Sequence, residues 1–172
     1  MAFDTNGGGN YVSRTTDLPG INDFTVMFWM NLQSSANSGI WARNQSTGNG
    51  VILEVNLSNV IRTRIAGSNQ TGGSISTSTW YHFAIVRNTG DSPNSHTIYV
   101  NGAVDHNNDT DGTWVEDRIE LGNVTRIGAS VDALFAAYKL CDRDWETSYY
   151  TLTLRHPLLQ SLTTLHSTQS QE

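Results

Sequence analysis

Thr79-Trp80-Tyr81-His82-Phe83-Ala84-Ile85-Val86-Arg87, followed by Thr97-Ile98-Tyr99-Val100-Asn101-Gly102, is the stretch that decides the fold. The first segment is aromatic, β-branched and apolar at successive positions, as a strand buried on both faces must be, and this predicts a central strand. The second ends in Asn-Gly, whose residues accept the positive φ angles of a tight two-residue turn, so it predicts one arm of an antiparallel hairpin.

Outward from this pair the same pattern repeats. Phe24, Val26, Phe28, Met30 and Leu32 alternate with Thr25, Met27, Trp29 and Asn31, a period of two. Ile40–Arg43 predicts a short strand, and Val51–Leu57 with Val60–Ala66 predicts a hairpin around Ser58-Asn59. The polar, glycine-bearing run from Gly67 to Ser78 is expected to be a surface loop, and so is Asp105–Gly112. Further strands are expected around Arg118–Ile127 and Ala133–Cys141. A short helical turn is expected through Tyr149, Tyr150 and Leu152. The implied class is all-β, a sandwich or jelly roll, in one domain over residues 1–155, with residues 156–172 as a partly ordered tail.

Composition narrows the function. Charged residues are 15% of the chain and apolar residues 37%, a balance that suits short strands with polar turns rather than long helices. The net charge is −6 with no basic run, which speaks against nucleic acid, because phosphate neutralisation needs clustered cations. No apolar run has the length of a membrane span, so membrane insertion is not expected. No signal peptide is visible, and an extracellular or virion-associated setting is favoured. Cys141 is the single cysteine, which excludes an internal disulfide and a cysteine metal cluster; it reads as a small core residue.

The opening Ala2-Phe3-Asp4, then Asn10-Tyr11-Val12, then Phe24-Thr25-Val26-Met27-Phe28-Trp29-Met30 resembles the pattern L-x-F-D-G, D-Y-V, F-T-I-S-F-W-V of a known family. Thr79–Ala84 is similar to its T-W-Y-H-V-A, Ile98–Gly102 to its L-Y-V-N-G, and Arg126-Ile127-Gly128 to the I-G before its closing strand. In order and spacing these motifs resemble the laminin-G-like, concanavalin A-like lectin/glucanase superfamily over roughly residues 2–150. The resemblance implies a jelly-roll β-sandwich of two curved antiparallel sheets. It departs at the end, where Val131-Asp132-Ala133-Leu134 stands for I-D-E-V and Asp144-Trp145 replaces A-L.

Several residues are candidates for chemistry. Glycosidases need two carboxylates flanking the scissile bond, and the glucanases that this chain resembles place theirs on one strand. Glu54 has no acidic partner at i+2 or i+5 on its strand, so no catalytic residue is assigned and the chain is read as a non-enzyme. Glu54 is expected to be a solvated or hydrogen-bonded strand residue, and His82 a hydrogen-bonded structural histidine. Asn107-x-Asp109-x-Asp111-Gly112 resembles the first half of a calcium loop, although Arg118 stands where the bidentate Glu belongs; the other reading is a polar hairpin loop.

Sugar recognition needs flat aromatic faces with planar polar side chains beside them. Trp41 with Arg43 and Asn44, and Trp114, are the tryptophan settings that a core pattern explains least, and they are the candidate carbohydrate-binding residues. Trp29, Trp80 and Trp145 sit at packing positions and are expected in the core. Two functions remain open: a lectin-like module that recognises glycan or polysaccharide, and a structural or adhesion module, such as a phage virion decoration or tail protein, that contacts virion or cell-surface proteins.

Overall fold

The computed structural model describes residues 2–5, 11–14, 23–44, 50–65, 68–88, 95–110, 118–124, 129–142 and 149–152. In chain order its strands are β1 (Phe3–Asp4), β2 (Val12–Arg14), β3 (Phe24–Leu32), β4 (Ser38–Asn44), β5 (Val51–Val55), β6 (Val60–Ile65), β7 (Ser68–Ser74), β8 (Trp80–Asn88), β9 (Ser95–Val100), β10 (Ala103–Asn108), β11 (Arg118–Leu121), β12 (Asn123–Val124), β13 (Ala129–Ser130), β14 (Ala133–Asp142) and β15 (Tyr149–Leu152). They form two sheets. The first runs β1-β14-β3-β8-β9-β10, with β15 alongside β14. The second runs β12-β13-β4-β5-β6-β7, with β11 pairing both β2 and β4. All pairings are antiparallel except the single bridge Ser130↔Gly39 between β13 and β4. The fold is the all-β jelly-roll sandwich that the sequence predicts.

The alternation in β3 decides which faces meet. Phe24, Val26, Phe28, Met30 and Leu32 are all buried, and the register Phe28↔Phe83 carries the same face onto β8. Phe28 stacks on Phe83 with ring centroids 5.5 Å apart and meets Phe135 of β14 at 5.8 Å. Trp41, Leu53, Ile61, Ile65, Ile119 and Leu121 of the second sheet join the same cluster. Each such side chain contributes on the order of 2 kcal/mol of hydrophobic stabilisation.

The turns follow their chemistry. Asn101 and Gly102 have φ of 52° and 79°, the pair of positive angles that a type I′ turn between β9 and β10 requires. Asn59 has φ of 57°, and the Asn56 side chain accepts the Ser58 and Val60 N–H groups at 2.9 and 3.0 Å, which closes the β5–β6 turn. Thr5 holds the start of the chain to its closing strand. Its N–H donates to the Ala133 carbonyl at 3.1 Å, and its hydroxyl accepts the Ala133 N–H at 3.0 Å.

Three segments differ from expectation. Residues 149–152 form β15 rather than a helical turn, because β14 offers them a free ladder from Tyr138 to Cys141. The supposed loop after Gly67 contains β7, the edge strand of the second sheet. The supposed loop from Asp105 begins as β10, the edge strand of the first sheet. These two edges join through side chains. A bulge between Val104 and His106 sets Asp105 out of the ladder register, and its carboxylate accepts the Gly73 N–H of β7 at 2.9 Å and meets His106 Nδ1 at 2.7 Å. The other His106 nitrogen, Nε2, bonds the buried hydroxyl of Thr63 on β6. Cys141 lies in β14 with its side chain outside the described residues, as are Trp145 and the tail from 153 to 172.

Candidate functional site

The face of the first sheet turned away from the core carries the unusual side chains. With Phe28 and Phe83 inward, Trp29 and His82 must point outward as register partners, and so must the pair Asn31 and Trp80. Trp29 is 42% exposed and Trp80 40%, whereas tryptophan is ordinarily well buried. The His82 ring lies against Trp29, centroids 5.3 Å apart and planes tilted by 58°, and this holds the indole in place. The His82 N–H donates to Asn101 Oδ1 at 2.9 Å, and the Asn101 N–H donates to the His82 carbonyl at 2.8 Å, so the hairpin turn braces the same row.

Polar and apolar groups frame the two indoles. Gln33, exposed, donates through Nε2 at 2.7 Å to Oδ1 of Asn31, which is buried, so that Gln33 offers the accessible planar amide beside Trp80. The next row inward along the sheet is Met27, Ala84, Tyr99 and Val104, with Val104 exposed. Leu134 and Ala136 of β14 complete the other flank. None of the residues paired beside or between the indoles is Asp, Glu, Lys or Arg. Charge on this face stands further out, at Asp4 on the edge strand β1; Lys139 pairs with Met27 along the ladder, its side chain outside the described residues.

The tryptophans therefore exchange the places that their sequence settings suggest. Trp41 is fully buried, its ring 6.0 Å from that of Phe24, and it offers no face to a sugar. Arg43 is buried as well, its guanidinium 4.9 Å from the centre of the same Phe24 ring. Both belong to the interior because the β4–β5 bulge between Gly39 and Trp41 turns them onto the inner face, opposite Leu53 and Val51. Trp29 and Trp80, expected in the core, are the exposed pair. Asn44 ends β4 opposite Arg118, with its side chain outside the described residues, where Trp114 and Asp111 also lie. Asn107 is an exposed residue of the β10 ladder and Asp109 an exposed residue just past it, while Asn108 between them is buried and reaches the Thr63 carbonyl at 3.5 Å. The described part of that run thus supplies two exposed oxygen-bearing side chains, and no metal-binding cluster of His, Cys, Asp or Glu occurs among the described residues.

The outward face of the second sheet is different in kind. Glu54, nearly fully buried, bonds Arg62 Nε and lies 3.2 Å from Arg64 Nη2, with both arginine side chains about a third exposed. The hydrogen-bonded role expected of Glu54 is the one it has. Glu120 shares this face, since β11, β4 and β5 place Glu120, Ala42 and Ile52 in one row. Its backbone stands about 12 Å from that of Glu54, two strand spacings across and one residue pair along. Glu54 is already bound by two guanidinium groups, and both carboxylate side chains are nearly fully buried.

Solved structures share this architecture. A heptameric pentraxin from Limulus polyphemus matches at 17% identity and a TM-score of 0.56, over 74% of this chain and 68% of that one. Mouse laminin alpha1 chain domains LG4-5 match at 12% identity and a TM-score of 0.63, over 88% of this chain and 42% of that one. Trypanosoma rangeli sialidase matches at 15% identity and a TM-score of 0.56, over 69% of this chain and 20% of that one. At such identities the likeness is one of fold, and this chain spans less than half of the laminin and sialidase chains. A comparison with curated proteins gave no match. A laminin G family model, described as Concanavalin A-like lectin/glucanases superfamily, matches residues 6–140, and the chain belongs to that family.

Proposed function

We propose that this chain is a non-catalytic glycan-binding module whose binding surface is the outward face of the first sheet. The observation that carries the reading is the pair of exposed indoles, Trp29 and Trp80, held beside His82 and the exposed amide of Gln33. Indole faces attract sugar C–H groups, and planar amides match sugar hydroxyls in hydrogen bonding. The burial of Glu54 and its two arginine partners support a role without catalysis. A glycan array tests the reading directly. Binding that disappears in Trp29→Ala and Trp80→Ala, and survives Glu54→Gln, is the expected result; binding unaffected by both tryptophan changes would move the site elsewhere.

A structural or adhesion role is the competing reading, and the apolar row of Met27, Ala84 and Val104 on the same face favours it. A virion or cell-surface protein would then cover this face, and defined oligomers in sedimentation without glycan binding would be the outcome. Trp114, and calcium at Asn107, Asp109 and Asp111, stand as separate proposals. They are read out by Trp114→Ala and by repeating the array in chelator.

A further inference from the structure

Resting on the glycan-binding reading, we infer that the Trp29–Trp80 face takes two consecutive residues of an uncharged, linear polysaccharide. Three features lead there. The first is spacing. Trp29 pairs with His82 and Asn31 pairs with Trp80, so the two indoles are diagonal neighbours on adjacent strands. Diagonal partners stand ~7 Å apart at the backbone, close enough for long aromatic side chains to serve adjoining sugars of one chain. A single sugar covers one indole and leaves the other unused.

The second feature is shape. The platform is the open face of β3 and β8, the second and third strands from β1 in their sheet, with β14 and β9 continuing it on either side. A pocket selects a chain end, because only an end can enter. An open sheet face lets a chain run across it in both directions, so an internal segment of a long polymer fits as well as a terminus.

The third feature is charge. Recognition of a uronate, sialate or sulfate calls for a cation at the site, ordinarily Arg or Lys in charge-assisted contact. The partners flanking the two indoles are Asn31, His82, Leu134, Ala136, Met27 and Ala84. Among the described side chains, the arginines about a third exposed, Arg62 and Arg64, belong to the second sheet and are bound to Glu54. Hydrogen bonding near the indoles comes instead from the exposed amide of Gln33, braced by the buried Asn31, a neutral group suited to hydroxyls.

The test is a ladder of oligosaccharides of one to six units, titrated into the intact chain with tryptophan fluorescence and calorimetry as readouts. The neutral arms are cello-, xylo-, manno- and laminari-oligosaccharides; the acidic arms are oligogalacturonides, heparin fragments and sialyllactose. Binding to one neutral series should rise by about tenfold from the monosaccharide to the disaccharide and change little beyond the trisaccharide, and Trp29→Ala and Trp80→Ala should each remove about that factor. A monosaccharide that binds as tightly as its disaccharide would overturn the two-sugar platform. Binding confined to the acidic arms would overturn the uncharged class while leaving the glycan-binding reading standing. No binding to any arm would overturn both.

Discussion

Trp41 and the pair Trp29 and Trp80 occupy strands of the two different sheets, and their fates are opposite. Trp41 sits in a segment bounded by polar turns, beside Arg43 and Asn44, yet it is sealed in the core with the arginine. Trp29 and Trp80 sit in long apolar strands, yet they face outward. What surrounds an aromatic residue along the chain is thus a poor guide to its exposure. The phase of the strand that carries it decides, and phase is fixed by register and bulges across the sheet.

The sharpest way to break this contrast is Trp41→Ala. Truncating a fully buried indole removes its hydrophobic burial and leaves a cavity between Phe24 and the second sheet, at an expected cost of about 4 kcal/mol in chemical unfolding. Binding per folded molecule should be unchanged. A cost below about 1 kcal/mol would mean that the indole is not packed this way and would return Trp41 to the candidate binding residues.

A smaller effect is expected where the edges of the two sheets meet. A Cβ at Gly72 would overlap the Asp105 carboxylate and the His106 ring, so Gly72→Ala must displace the carboxylate that accepts the Gly73 N–H. Overpacking of this kind costs about 2 kcal/mol. Gly72→Ala should therefore lower the unfolding free energy by about that amount, and a change of less than about 0.5 kcal/mol would show that β7 and β10 are not joined through Asp105.

His96 tests the interior by pH. Burial, assisted by the charge of Arg87 and opposed by a backbone hydrogen bond with Asn108, lowers its pKa from 6.5 to about 3. The folded state therefore holds His96 neutral, and unfolding lets it take up a proton. Its contribution to stability is complete above pH ~6.5 and is lost as the pH falls toward 3, with about 2 kcal/mol gone by pH 5. His96→Gln should reduce the fall in unfolding free energy between pH 7 and 5 by about that amount. Equal slopes in both proteins would place His96 in contact with solvent.

Much of this architecture is legible in the chain. The β3 alternation names the inward residues Phe24 through Leu32, and the Asn101-Gly102 turn appears where its dipeptide predicts it. That same alternation puts Trp29 in phase with Thr25 and Asn31, the outward set, so its exposure was there to be read. Trp80 was harder, because both phases of β8 are apolar and only the Phe28↔Phe83 register separates them. The burial of Trp41 and Arg43 depends on a bulge in β4, which no local pattern marks. β7 carries no strand signal in the sequence because its Gly72-Gly73 pair reads as loop, although close passage of Asp105 is what requires residues without side chains.

The last and smallest effect on stability belongs to the exposed pair. Trp29→Ala removes a cross-strand contact with His82 and a partly buried surface, and Trp80→Ala removes a neighbour of Asn31, so each should cost about 1 kcal/mol or less. Thermal unfolding of the two variants beside Trp41→Ala makes the comparison within one protein. Retained stability together with lost oligosaccharide binding is the pattern of a side chain kept for a ligand. If Trp29→Ala or Trp80→Ala unfolds as readily as Trp41→Ala, that indole is holding the sheet together, and the face it lies on is not a surface kept open for sugar.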